Sequence, residues 1–151
     1  YHDPILPEEV ANLSSYLFAQ LQPLIHAIAK HLPQQLIGAS GTFDTLTDIY
    51  LAAEGKKKNR NKIKHILPMA AFNALADDLV LLDKEKRLKI PGMIPMRVDM
   101  IVVASCLIRF ITGHIQTHQL ICSTYSLKEG AVSEAMAKVS NNKNISIASW
   151  Q

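Results

Sequence analysis

Gly38-Ala39-Ser40-Gly41-Thr42 is the segment whose residue types and spacing best suit chemistry. A glycine turn that opens a helix leaves the first backbone N–H groups without carbonyl partners and pointing outward, where the helix dipole favours negative charge. Glycines let that backbone approach an anion, and the Ser40 and Thr42 hydroxyls add donors. The chemistry on offer is phosphate or nucleotide binding by Gly38, Ser40, Gly41 and Thr42. A tight strand-to-helix turn with Ser40 or Thr42 as helix cap accounts for the same residues without a ligand.

The second concentration of chemistry is cationic. Lys56, Lys57, Lys58, Arg60, Lys62 and Lys64 are six of the 16 basic residues, with no acid between Lys56 and His65. The chain carries a net charge of +3, and the remainder, with 10 basic against 13 acidic residues, stands at −3. A polycationic segment on a mildly acidic body raises the local concentration of anions and suits guidance of a polyanion. A solvated loop between Gly55 and the next helix is the plainer reading. No aromatic residue interleaves the run, so it lacks the stacking platforms of RNA-binding surfaces, and nucleic acid is not an expected partner.

Arg97 and Asp99 stand at the start of an apolar helix, and Lys128 and Glu129 stand before Gly130. Each pair reads as a cleft neighbour or as a structural ion pair. Cys106 and Cys122 lie in apolar runs with no Cys-x-x-Cys spacing or Cys/His cluster, which predicts small core residues rather than disulfides or zinc ligands. A reducing cytoplasm is the expected compartment. His26 and His31 read as surface or packing residues. No Ser/His/Asp order, carboxylate pair or metal cluster is defensible, so no catalytic residue is assigned.

The elements that must hold these groups follow from periodicity. A chain of 151 residues, 48% hydrophobic and 19% charged, has the length for one domain with a real core, which excludes a disordered tail. Its most apolar stretch, Met100 to Ile108, is about half of the roughly 20 residues a bilayer helix needs, so no membrane span is expected. The stripe Val10, Leu13, Leu17, Leu21, Leu24 and Ile28 predicts a helix from about Pro7 to Leu32, kinked or split at Pro23. Leu36-Ile37 leads into the glycine turn, and Phe43, Leu46, Ile49 and Tyr50 share one face of the following helix, with Gly55 as its stop. From Ile66 a further helix is expected through Leu82, then a short basic helix capped by Asp83, then a central apolar helix opened by Pro95. Leu120 to Thr124 predicts a buried strand, and Leu127 to Gly130 a turn into a last helix ending near Val139. Residues 145–151 suit a strand or a tail. Two strands make a marginal sheet, which implies that others are supplied from elsewhere.

Taken in order, these pieces resemble the exopolyphosphatase and guanosine pentaphosphate phosphohydrolase (Ppx/GppA) family. Leu36-Ile-Gly-Ala-Ser-Gly-Thr-Phe-Asp-Thr-Leu46 is similar to its strand, glycine turn and helix. Arg87 with Pro91-Gly92-Met-Ile-Pro-Met-Arg-Val-Asp-Met-Ile101 is similar to its Pro-Gly turn and Arg-x-Asp helix start, and Ile121-Cys-Ser-Thr with Leu127-Lys-Glu-Gly130 to its last strand and turn. Lys128 stands where the family has Arg, and Ala104 where Gly is usual. The resemblance implies an α/β fold: part of an actin-like ATPase (ribonuclease H-like) lobe, helix-rich, with two or three short strands and the lobe's first three strands upstream. The two aspartate-led phosphate loops and the glutamate base of the family do not occur here, so the catalytic groups are expected before Tyr1 and this piece is expected to be inactive alone. Polyphosphate or a guanosine alarmone, Mg2+ in the intact protein and the upstream half of the chain are the implied ligands and partners; separately, the exposed sheet edge of the isolated piece suits self-pairing into a homodimer. A non-enzymatic alarmone-binding module is the alternative.

Overall fold

A computed structural model describes residues 2–59 and 61–141. Tyr1, Arg60 and the segment 142–151, including the alternating Ile145 and Ile147, lie outside the described residues. The first helical stretch is two helices, α1 (Pro7–Gln20) and α2 (Gln22–His31). The break falls at Leu21, which places Pro23 in the first turn of α2, where its missing N–H leaves no bond unmade. β1 (Leu36–Ala39) enters α3 (Gly41–Ala53), and β2 (Lys64–Pro68) is followed by α4 (Met69–Leu81) and α5 (Lys84–Leu88). A single 3-10 turn at Pro95–Arg97 precedes α6 (Met100–Thr112), then β3 (Gln119–Ser123) and α7 (Leu127–Asn141).

Three expectations change. Ile66 and Leu67 lie in β2 rather than in a helix, and Lys64 belongs to that strand rather than to a loop. The physical signal is period two: His65 and Leu67 are buried while Lys64 and Ile66 are exposed. Pro95 opens the 3-10 turn, with α6 beginning only at Met100. α6 is not enclosed all round, for Met100 is 74% exposed while Ile101, Val102, Ser105 and Ile108 face inward.

The sheet order is β1-β3-β2, with β1 parallel and β2 antiparallel to the central β3. One face carries Leu67, Leu120 and Cys122 into a core with Leu46 of α3, Phe72, Ala76 and Leu79 of α4, and Ile101, Val102 and Ile108 of α6. Each large side chain buried there contributes about 1.5–3 kcal/mol. On the other face Ile37, Ile121 and Ile66 stand in register across the three strands. Ile37 is 62% and Ile66 48% exposed. α7 likewise leaves Val132, Met136 and Val139 exposed. Among the described residues no helix is long and apolar enough to cross a membrane.

Candidate anion-binding site

β1 and β3 run parallel with Ala39 opposite Ser123, so the turns that follow them emerge at one rim of the sheet. β2 starts at that rim. Thr124 donates its N–H to the Ile63 carbonyl at 3.0 Å and its hydroxyl to the Lys62 carbonyl at 3.1 Å. The glycine turn, the approach to α7 and the end of the basic segment thus meet where the parallel strands finish, the usual ligand side of open α/β sheets.

At the glycine turn, Asp44 N–H donates to Ser40 O at 3.1 Å as the first helical bond of α3. The N–H groups of Gly41, Thr42 and Phe43 precede it and have no helical carbonyl to reach. Ser40 has φ +72° and its side chain makes no cap bond. That backbone region is costly for a residue with a Cβ, about 1–3 kcal/mol, and the surrounding packing must hold it. The packing is visible: the Phe43 ring fills the space where a Cβ on Gly38 would stand, and the Arg97 guanidinium fills that of Gly41. Both glycines are needed for close approach.

Arg97 is therefore a member of the turn despite lying 56 positions further along the chain. It is half-buried, and among the described residues no hydrogen bond or ion pair ties its guanidinium down. Two contacts position its segment. Gly92, at φ +91°, lies so close to α3 that an added Cβ would come within 2.6 Å of the Asp48 carbonyl carbon. Arg87, 3% exposed, donates through Nε to Val98 O at 3.2 Å and through Nη1 to Leu82 O, and pairs with Asp3 at 2.8 Å.

The other expected residues are placed differently. Asp99 turns away from the glycine turn to meet Lys84 at 2.7 Å. Glu129 accepts both the backbone N–H and the hydroxyl of Ser126 at 2.8 Å, which closes the first turn of α7, and Lys128 stands 3.4 Å from it. The Ser126 N–H, followed by its hydroxyl, holds the Glu129 carboxyl down at about 2. Lys58 folds back onto α3, 2.8 Å from Asp44 and 3.3 Å from Asp48, with 22% of its side chain exposed. Burial opposes its charge, but the Asp44 hydrogen bond and the two carboxylates outweigh that and raise its pKa. Lys56 meets Glu54 at 3.1 Å. Lys57, Lys62 and Lys64 are exposed, and Arg60 lies outside the described residues. Burial, the largest influence, raises both the Cys106 and Cys122 thiols; Cys122 lies in the core as expected, whereas Cys106 is only half-buried.

Among the described residues no three His, Cys, Asp or Glu side chains come together as a metal's ligand set. Asp44 and Asp48 already face Lys58, so the residues present do not fit Mg2+. Among the structural contacts that sequence reasoning missed are Arg87 on the Val98 carbonyl and Gly92 on α3. A basic residue inside the amphipathic pattern of a short helix and a Pro-Gly pair were their only traces.

The strand, glycine turn and helix on a sheet with helices packed against it form part of an actin-like ATPase lobe. The sequence matches the Ppx/GppA phosphatase family over residues 1–139, and the chain belongs to that family. Among solved structures it is similar to an exopolyphosphatase from Cytophaga hutchinsonii, with 38% identity and a TM-score of 0.86 over 91% of this chain and 44% of that one. It is also similar to the Aquifex aeolicus member of the Ppx/GppA family, with 19% identity and a TM-score of 0.73 over 96% of this chain and 44% of that one. An exopolyphosphatase-like protein shares the fold at 17% identity and a TM-score of 0.74, with 91% and 46% covered. The chain thus spans less than half the length of these solved relatives. No curated protein matches it.

Proposed function

We propose that this chain is one lobe of a phosphohydrolase that removes terminal phosphate from inorganic polyphosphate or guanosine pentaphosphate, and that alone it binds phosphate without cutting. Family membership and the likeness to the C. hutchinsonii exopolyphosphatase support the reaction class. The observation that carries the reading is the untethered Arg97 guanidinium lying on Gly41, beside the unpaired amides that open α3. A phosphate there meets backbone N–H donors, the Ser40 and Thr42 hydroxyls and a planar cation suited to two oxygens at once. Lys57, Lys62 and Lys64 keep their charge free to steer a polyanion to the rim. Asp99, Lys128 and Glu129 act as structural ion pairs.

The groups that cut come from an upstream half of the chain: a carboxylate that orients water toward phosphorus, and the ligands for Mg2+, which offsets charge on the phosphate chain. That half docks on the free edge of β1, the row of Ile37, Ile121 and Ile66, and the exposed side of α7. The test is phosphate release from polyphosphate by the 151-residue chain, alone and with the upstream half. We expect none alone and turnover with both. Turnover by this chain alone refutes the division of labour, and tight alarmone binding without hydrolysis by the two-lobed protein makes it a sensor instead.

A further inference from the structure

Among the described residues β2 is an edge strand, with β3 on one side and no strand on the other. Antiparallel pairing sends the N–H and C=O groups of alternate residues to opposite sides. Thr124 N–H donates to the Ile63 carbonyl at one end of the pair, and Met69 N–H to the His118 carbonyl at the other. Ile63, His65 and Leu67 therefore bond inward, and the backbone donors and acceptors of Lys64 and Ile66 face outward.

A groove of about 630 Å³ runs along that outer edge. Ile63, Lys64, His65 and Ile66 line it consecutively, and because successive strand residues face opposite sides of the sheet, a hollow touching four in a row lies beside the strand. Tyr50 and Leu51 of α3 form its far wall, and the lining includes three lysines, Lys56, Lys62 and Lys64, with no carboxylate. Only Lys56 has an acidic partner among the described residues. Independently, His65 is 8% exposed and its Nε2 has no hydrogen-bond partner among the described residues.

We propose that this edge takes an extended acidic peptide of a partner protein as a fourth strand. Its backbone pairs with Lys64 and Ile66, its carboxylates face Lys62 and Lys64, and an apolar side chain rests on Tyr50 and Leu51. A phosphate chain fits less well, since it has only acceptors to set against the outward carbonyls and gains nothing from Tyr50, Leu51, Ile63 and Ile66. A second copy of this chain brings lysines opposite lysines, the arrangement that keeps edge strands apart.

The test is fluorescence anisotropy of a labelled seven-residue peptide alternating valine and glutamate, titrated into the 151-residue chain, with a valine–lysine peptide as control. Saturable binding of the acidic peptide alone is expected, with protection of the Lys64 and Ile66 amides from hydrogen exchange. Lys64→Pro removes an outward donor while sparing the β3 ladder, a placement edge strands tolerate, and should weaken binding about tenfold. Lys62→Glu lies outside the strand and should weaken it by a similar factor, so the charge contribution is read even if the proline variant fails to fold. Equal binding of the lysine peptide, or unchanged binding in a folded Lys64→Pro or Lys62→Glu variant, overturns the proposal. So does protection of these amides by inorganic polyphosphate or by self-association instead of the peptide.

Discussion

Arg97 owes its position to Arg87. The buried guanidinium of Arg87 holds the Val98 carbonyl, one residue beyond Arg97, while its partner Asp3 also accepts the Lys84 N–H at 2.8 Å. The two arginines should therefore separate in experiment. Arg97→Ala removes a half-buried cation with no partner among the described residues, so inorganic phosphate affinity is expected to fall about tenfold with little change in Tm. Arg87→Met strands the Val98 and Leu82 carbonyls, a loss of about 1–3 kcal/mol, or roughly 2–4 °C in Tm per kcal/mol for a chain of this size. It should weaken phosphate binding as well, because the segment presenting Arg97 loosens. Calorimetric titration beside thermal unfolding reads both, and a normal Tm with normal binding in Arg87→Met would contradict the positioning role. Gly41→Ala is expected to lose phosphate affinity without any charge being removed, since its Cβ takes the space of the guanidinium.

At the scale of elements, the sequence pattern carried the helices better than the strands. The stripes of α1, α2, α3 and α4 repeat every three to four residues over 10 or more positions, which is ample signal. β2 has five residues, and its Ile66-Leu67 pair runs directly into the stripe of α4, so helix and strand readings compete on the same apolar pair. What decides for the strand is pairing with β3, residues 119–123, which no local window contains. The same limit hid the fold-back of Lys58: Asp44 and Asp48 share a helix face by their spacing, but only the tertiary path of the chain just after α3 brings a lysine to them. α7 permits a local test. The Glu129 carboxyl lies at about 2, below the ordinary 4.5, because folding supplies the Ser126 donors. A depressed carboxyl stabilises fully above its unfolded value and loses that contribution as pH falls through its folded one, so helix α7 should fray between about pH 4.5 and 2. Exchange protection of the Ser126 amide across that window is the measurement. In Glu129→Gln the protection should be weaker at neutral pH and flat with acid.

For the whole molecule, the candidate turn could be read from Gly38 to Thr42 because a strand, a glycine turn and a helix are contiguous in sequence. The rim around it was legible only in part: Arg97 could be offered as a cleft neighbour or an ion-pair member, but its seat on Gly41 and the meeting of Thr124 with Lys62 join separate segments of the chain. One imbalance remains at this scale. The inner face of the sheet is closed by α3, α4 and α6, whereas the opposite face offers Ile37 and Ile66 to water and α7 offers Val132 and Met136. Exposed apolar side chains gathered on one side suit a surface that a partner covers. If an upstream half covers it, that half must stabilise this chain by mass action, about 2.7 kcal/mol when present at 100 times its dissociation constant. For a chain of this size that corresponds to roughly 5–10 °C in Tm. Ile37→Thr and Ile66→Thr alter exposed side chains and together should leave the Tm of the isolated chain within about 2–4 °C, since a surface change rarely exceeds ~0.5 kcal/mol. The same pair should abolish most of the rise produced by the upstream half, because the two swaps set a hydroxyl at each end of the apolar row, on either side of Ile121. A full rise in the double variant would mean that the covering half sits elsewhere, on the outer edge of β1 alone.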